Sequence, residues 1–195
     1  MAKGFLVVIS APSGGGKTTI IRKVLENQDP DFQYSISVTT RPRRLNEQNG
    51  KDYYFIDTKT FKQKKQAGEF VEWAEVHGHY YATPRKPLDQ WLKEGKIVFL
   101  DLDVQGGLEI KKKYGESAVL IFVKPPSRQR LVERLKNRKT ESDEQIAKRL
   151  ERFPVEMEQA KYYDYQIVNE NLEDTVKEVL RIVQKHRESL IKKEV

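Results

Sequence analysis

Along this chain, continuous apolar runs alternate with stretches in which apolar residues recur every three or four positions. Phe5 to Ile9 is the first such run and reads as a buried strand, and Ile20, Ile21, Val24 and Leu25 follow at helical spacing. After a turn at Asp29-Pro30-Asp31, Phe32 to Val38 alternates as a strand, and Thr58 to Gln66 reads as a short surface helix. From Glu69 to Val76 the alternation places Phe70, Glu72, Ala74 and Val76 on one face and Val71, Trp73 and Glu75 on the other. Glu72 therefore stands on a partly apolar face, where a carboxylate needs a partner. His77-Gly78-His79 reads as a hairpin turn into Tyr80 to Thr83.

Pro84 to Glu94 fits a helix stopped by Gly95, and Lys96 to Asp103 a buried strand ending in two carboxylates, ahead of a helix from Gln105 to Lys113. Ala118 to Val123 is another buried strand, closed by Pro125-Pro126. Ser127 to Gln159 is almost wholly helical and heavily charged, with little apolar surface to bury, and suits a mobile lid. Tyr165 to Asn169 supplies a last strand, and Leu172, Val176, Val179, Leu180 and Val183 mark an amphipathic C-terminal helix. Buried strands separated by helices predict an α/β fold, with a parallel sheet flanked by helices.

The turn between the first strand and first helix changes this picture most. Ala11-Pro12-Ser13-Gly14-Gly15-Gly16-Lys17-Thr18 matches the phosphate-binding loop pattern at Gly16, Lys17 and Thr18, with Ala11 at the first glycine position. Clustered glycines let successive backbone N–H groups converge on phosphate oxygens, and the following helix points its positive end at them. Lys17 would neutralise the phosphates and the Thr18 hydroxyl would ligate Mg²⁺. In an open parallel sheet ligands collect at the carboxyl ends of strands, which places Asp101 and Asp103 beside this loop. A second anion-binding signal is Arg41-Pro42-Arg43-Arg44, followed by Tyr53-Tyr54: guanidinium groups offer paired donors to phosphate oxygens and phenols add neutral ones. In the charged helical stretch, arginines stand at 128, 130, 134, 138, 149 and 152, and Arg134 and Arg138 share one helix face.

Composition narrows the classes. The 195 residues suit one domain with a small insertion or lid, and no apolar run approaches the roughly 20 residues of a membrane span. The apolar run at Phe5 to Ile9 is too short for the core of a signal peptide, so a cytoplasmic location is expected. With no cysteine, disulfides and thiol chemistry are excluded, and two histidines near each other do not complete a metal set. A net charge of +7 and a pI near 9.4 favour anionic ligands. Lys111-Lys112-Lys113 and the tail from Lys185 to Lys193 read as solvated helix faces; they lack the interleaved aromatics of a base-stacking platform, so no nucleic-acid partner is expected.

Taken together, Ser13 to Thr18, Ser37-Val38-Thr39-Thr40-Arg41 with Arg44, Gly50-Lys51-Asp52-Tyr53, Phe70 to Ala74, Tyr80-Tyr81 and Leu100 to Gly106 closely resemble the guanylate kinases, over nearly the whole length. The family usually has proline before its second arginine and Gly-Glu shortly after it, where this chain has Arg43 and Asn46-Glu47. The resemblance implies a P-loop NTPase core (1–34, 84–124 and 160–195), a small mixed α+β GMP-binding region (35–83) and a helical lid (125–159). It implies transfer of the γ-phosphoryl of ATP to GMP with Mg²⁺ as cofactor. Ala11, Pro12, Ser13, Gly14, Gly15, Gly16, Lys17, Thr18 and Asn169 would bind ATP, with Thr18 and Asp101 serving the metal. Arg41, Arg44, Tyr53 and Tyr81 would hold the GMP phosphate, Ser37 would meet guanine O6, and Glu72 and Asp103 would accept from guanine N1–H and the 2-amino group, with Thr83 beside them. Lys17, Arg44, Arg134, Arg138 and Arg149 would act on the transferring group. The expected partners are these small molecules, with no membrane, in a monomer or homodimer. Competing readings are a catalytically silent interaction module of the same fold that binds a phosphorylated peptide, a kinase for another nucleotide, and a nucleic-acid-binding ATPase.

Overall fold

The structure is a computed structural model that describes residues 4–76, 78–137 and 143–193; His77 and Arg138 lie outside the described residues. The chain runs through β1 (Phe5–Ser10), α1 (Lys17–Leu25), β2 (Phe32–Tyr34), β3 (Val38–Thr39), β4 (Tyr54–Phe55), α2 (Thr58–Gln66), β5 (Phe70–Val76) and β6 (His79–Pro84). It continues through α3 (Arg85–Lys93), β7 (Ile97–Asp101), α4 (Val104–Tyr114), β8 (Ala118–Lys124), α5 (Arg128–Asn137), α6 (Asp143–Leu150), α7 (Phe153–Gln159), β9 (Tyr165–Val168) and α8 (Leu172–Lys193). No helix among the described residues is long and apolar enough to cross a membrane.

Five strands form a wholly parallel sheet ordered β2-β7-β1-β8-β9, with β1 at its centre. A central parallel strand is covered on both faces, which is why β1 is apolar at every position from Phe5 to Ile9 instead of alternating. Phe5, Val7 and Ile9 pack with Ile20, Ile21 and Val24 of α1 and Val179, Ile182 and Val183 of α8. Leu6 and Val8 pack on the opposite face with Leu88 of α3, Ile110 of α4, Ala160 and Tyr163. The loop at residues 11–16 and α1 thus leave the sheet from its central strand.

A second sheet, ordered β4-β3-β6-β5, is mixed: β3 pairs with β4 parallel and with β6 antiparallel, and β5 and β6 form an antiparallel hairpin. The alternating stretch at Phe32 to Val38 is two strands in two sheets, not one. Ser35 N–H donates to Phe99 O in the first sheet, while Ser37 O accepts from Tyr54 N–H in the second, so the chain crosses between sheets within three residues. Phe61 of α2 packs with Val38, Phe70 and Ala82 to close a small separate core. The register shifts between Phe70 and Trp73, and this turns Val71 and Glu72 both into buried positions while Trp73 faces solvent.

The charged helical stretch buries more than its composition suggests. Leu131 and Leu135 of α5 and Ile146 of α6 form an apolar cluster with Leu150 and Phe153, and Leu135 reaches within 2.8 Å of where a Cβ on Gly14 would stand. In the basic cluster on α4, Lys112 and Lys113 are exposed and Lys111 is half-buried; Lys111 Nζ donates to Ala118 O and pairs with Asp164, and Lys113 Nζ donates to Val71 O.

Helix α4 crosses β1 closely at Gly107, where a Cβ would lie 2.1 Å from Tyr163 Oη and 3.2 Å from Val8 Cγ1. Tyr163 Oη sits 2.7 Å from Ser10 Oγ and 3.1 Å from Val104 O, and Ser10 Oγ donates to Asp103 O. This buried chain fixes the turn that carries Asp103. Gly107→Ala is expected to destabilise the protein by roughly 1–3 kcal/mol through overpacking, despite the better helix propensity of alanine. Denaturant unfolding checks it; unchanged or higher stability would show that α4 can retreat.

Candidate active site

The phosphate loop leaves β1 with two glycines in the left-handed region, Gly14 at φ +89° and Gly16 at φ +92°. Gly16 is also the residue preceding α1, so the loop amides and the helix N-terminus face the same space. Gly15 N–H donates to Pro12 O at 2.8 Å, and a Cβ on Gly15 would lie 2.6 Å from Ala11 Cβ. Ala11 does not need the left-handed backbone that Gly14 and Gly16 adopt, and this explains why alanine serves at the first glycine position. Asn169, just after β9, supports the loop from behind: its Nδ2 donates to Gly15 O, and Thr175 Oγ1 donates to its Oδ1.

Lys17 opens α1, with Nζ 3.3 Å from Ala11 O and 3.9 Å from Asp101 Oδ1. Asp101 ends β7 directly opposite Ile9 of β1, and its Oδ2 accepts from Thr18 Oγ1. The hydroxyl and carboxylate named for the metal therefore touch each other. Hard oxygen donors of this kind suit Mg²⁺, which keeps much of its water shell and binds through few protein oxygens together with substrate phosphates. Among the described residues no cluster of three or more His, Asp or Glu could hold a metal by itself.

Ser13, the three glycines, Lys17, Thr18, Arg41, Arg44, Tyr53, Tyr81, Asp101 and Asp103 line one cleft of about 460 Å³. Residues as far apart in sequence as Ala11 and Glu156 are gathered there. On its arginine-rich side, Arg41 Nη2 donates to Glu47 Oε1 at 2.7 Å, while the Arg44 backbone N–H donates to Glu47 Oε2 at 2.8 Å. The Arg41 guanidinium also lies over the Tyr53 ring, 5.4 Å from its centroid, and Tyr53 meets Tyr81 edge to face. Glu47, which keeps the glutamate of the usual family pattern while Asn46 before it departs, thus organises the arginine loop.

Glu72, Ser37 and Thr83 do not line the cleft; all three are buried. Glu72, 6% exposed, accepts from Thr83 Oγ1 at 2.6 Å. Burial pushes its carboxyl up to about 7, Asp103 adds to the shift, and Thr83 and Lys113 oppose it. Glu72 and Asp103 converge on Gly106, where a Cβ would stand 3.0 Å from Glu72 Oε2 and 3.1 Å from Asp103 Oδ1. Asp103 precedes α4 and its Oδ1 accepts from Gly106 N–H at 2.8 Å, so the helix-capping role and a place in the cleft coexist.

Of the three lid arginines, Arg134 donates from Nη2 to Asn169 O, which ties α5 to the back of the phosphate loop. Arg149 lies on α6 with its side chain outside the described part, as is all of Arg138. Three contributors escaped sequence reasoning: Glu47, Arg152 and Glu156. Glu156 lines the cleft, buried, with its carboxyl pushed up to about 7 by burial against the pull of Lys17 and Arg152. In a stretch where nearly every second residue is charged, nothing in the pattern marks the one that turns inward.

A family model described as guanylate kinase matches residues 3–186. The chain is 48% identical over 185 residues to the guanylate kinase of Thermotoga maritima, covering 95% of this chain and 88% of that one. It is 44% identical to the guanylate kinase of Sphingopyxis alaskensis, covering 95% and 84%. The crystal structure of guanylate kinase from Anaplasma phagocytophilum superposes with a TM-score of 0.79 at 35% identity, covering 96% of this chain and 88% of that one. A phosphate-loop motif, a cleft lined with arginines and tyrosines and a match along almost the entire chain lead to one conclusion, that the chain belongs to the guanylate kinase family of nucleoside monophosphate kinases.

Proposed function

We propose that the cleft binds ATP on the phosphate loop and GMP across it, and transfers the γ-phosphoryl group to the GMP phosphate to give ADP and GDP. The observation that carries this reading is the single cleft that Lys17 and Thr18 share with Arg41, Arg44, Tyr53 and Tyr81. Residues Ala11 to Thr18 and Asn169 serve ATP, with Lys17 and the loop amides on the β- and γ-phosphates. Arg41, Arg44, Tyr53 and Tyr81 hold the acceptor phosphate so that one of its oxygens lies in line with the γ-phosphorus. That oxygen is already anionic, so no general base is required.

Ser37, Glu72, Thr83 and Asp103 recognise guanine. AMP offers neither N1–H nor a 2-amino group and would leave both carboxylates unpaired, at roughly 1–3 kcal/mol each. The division into core, acceptor region (35–83) and lid (125–159) lets Arg134, Arg138 and Arg149 close over the transferring group and exclude water. Thr18 and Asp101 would hold Mg²⁺, which would supply charge neutralisation on the phosphates. The protein works in the cytoplasm on ATP and GMP, as a monomer or homodimer, without nucleic acid or membrane.

The metal assignment has its own test. Asp101→Asn is expected to raise the Mg²⁺ concentration for half-maximal rate by about tenfold or more, with KM for GMP little changed. An unchanged Mg²⁺ dependence would remove Asp101 from the metal's surroundings.

A further inference from the structure

We propose that Arg152 is a positioning residue for guanine recognition, a bridge that holds Asp103 in place from the lid side of the cleft; this rests on the reading of Asp103 given above. Asp103 Oδ1 is committed to Gly106 N–H, while Oδ2 is buried without a hydrogen bond. Arg152 Nη2 stands 3.6 Å from that oxygen, and its Nε stands 4.0 Å from Glu156 Oε1. Glu156 Oε2 is likewise buried without a hydrogen bond. One guanidinium thus spans two carboxylates that border the cleft, and neither is saturated by it.

The offset geometry matters. A bidentate pair would occupy the Asp103 lone pairs and compete with a base. At 3.6 Å the cation offsets charge and limits the rotation of Asp103, yet leaves Oδ2 able to accept from a ligand donor. Asp103 lies close enough to act on both Glu72 and Glu156, so removing Arg152 would leave Asp103 facing like charges with less compensation.

Arg152 is well placed for the task. It precedes α7, whose Met157 packs with the main-sheet core together with Ala160 just beyond the helix, while the adjacent Phe153 packs with the α5–α6 cluster. Arg152 therefore sits at the seam between the lid and the core, at the Asp103 end of the cleft. Glu156, one turn on, steadies the guanidinium.

Steady-state kinetics on Arg152→Met, Arg152→Lys, Asp103→Asn and the Arg152→Met/Asp103→Asn double variant test this. Arg152→Met is expected to raise KM for GMP about tenfold, with KM for ATP and kcat changed by less than about threefold. Arg152→Lys should recover most of the loss, and in the Asp103→Asn background Arg152→Met should add nothing further. A KM for GMP that stays at the parent value in both Arg152→Met and Arg152→Lys would overturn the proposal, as would an equal rise in the Asp103→Asn background or a matching rise in KM for ATP. If Asp103→Asn itself leaves KM for GMP unchanged, the guanine-reading role of Asp103 falls, and this inference with it. If Asp103→Asn raises it and Arg152→Met does not, only the inference falls. Should Arg152→Met not fold, Arg152→Gln, of similar polarity, takes its place with the same expected result.

Discussion

Replacing Lys17 with methionine is expected to lower kcat by on the order of 10³-fold while the protein remains folded. The side chain opens α1 with its ammonium group 3.3 Å from Ala11 O and 3.9 Å from Asp101, inside the space that the loop amides face. Charge on the γ-phosphoryl oxygens spreads as the phosphorus leaves the β-phosphate, so a fixed cation there stabilises the transition state more than the bound substrates. Methionine keeps the length of the stem and removes the charge. The ion pair with Asp101 is long and partly exposed, so its loss changes stability little. KM for GMP should hold near the parent value, because the proposed contacts to the acceptor are Arg41, Arg44, Tyr53 and Tyr81 and Lys17 is not among them. A variant that retains more than about a tenth of the parent kcat would show that the loop amides and metal suffice without Lys17.

Glu72→Gln has the second largest expected effect, a rise of roughly 10- to 100-fold in KM for GMP with kcat also reduced. The amide can still accept from Thr83 through its oxygen, but it turns an N–H₂ toward donors of the base. AMP should not become a good substrate, since the new amide can donate to adenine N1 but Asp103 still finds no 2-amino donor on that base. The same substitution carries a stability signature of definite sign. Glu72 in the folded protein titrates near 7 against 4.5 for an ordinary glutamate, so the folded state binds more protons than the unfolded one between those values. Relative to Glu72→Gln, the ligand-free parent therefore loses stability as pH rises from about 4.5 to about 7, by on the order of 3 kcal/mol. Melting curves of both proteins across that window measure the difference. Parallel curves would mean that water reaches Glu72 and leaves it an ordinary carboxylate.

The phosphate loop was legible because its chemistry is local. Glycines, lysine and threonine must stand at fixed spacing between a strand and a helix, and Gly14, Gly16, Lys17 and Thr18 do so in the structure. The parallel sheet was legible because strands covered on both faces are apolar along their length, as β1, β7 and β8 are up to their last residues, Ser10, Asp101 and Lys124. Phe32 to Val38 misled because alternation reports burial on one side and not which sheet supplies it, and hydrogen bonds to Phe99 and Tyr54 divide that stretch. The lid's apolar cluster was hidden in a similar way. Leu131, Leu135 and Ile146 are spread among charges, and only the approach of α5 to α6 unites them. Glu47, Arg152 and Glu156 could not be read at all, because their roles depend on which carboxylate faces which guanidinium across a turn or a seam between elements.

The most direct test of the account is the rate of ADP release with Mg-ATP and, in turn, GMP, AMP, CMP and UMP as acceptor. Rapid turnover with GMP alone, with GDP as the second product, is the predicted result. No turnover with any acceptor would contradict the kinase reading and favour a silent interaction module, and comparable turnover with AMP would contradict guanine selection by Glu72 and Asp103.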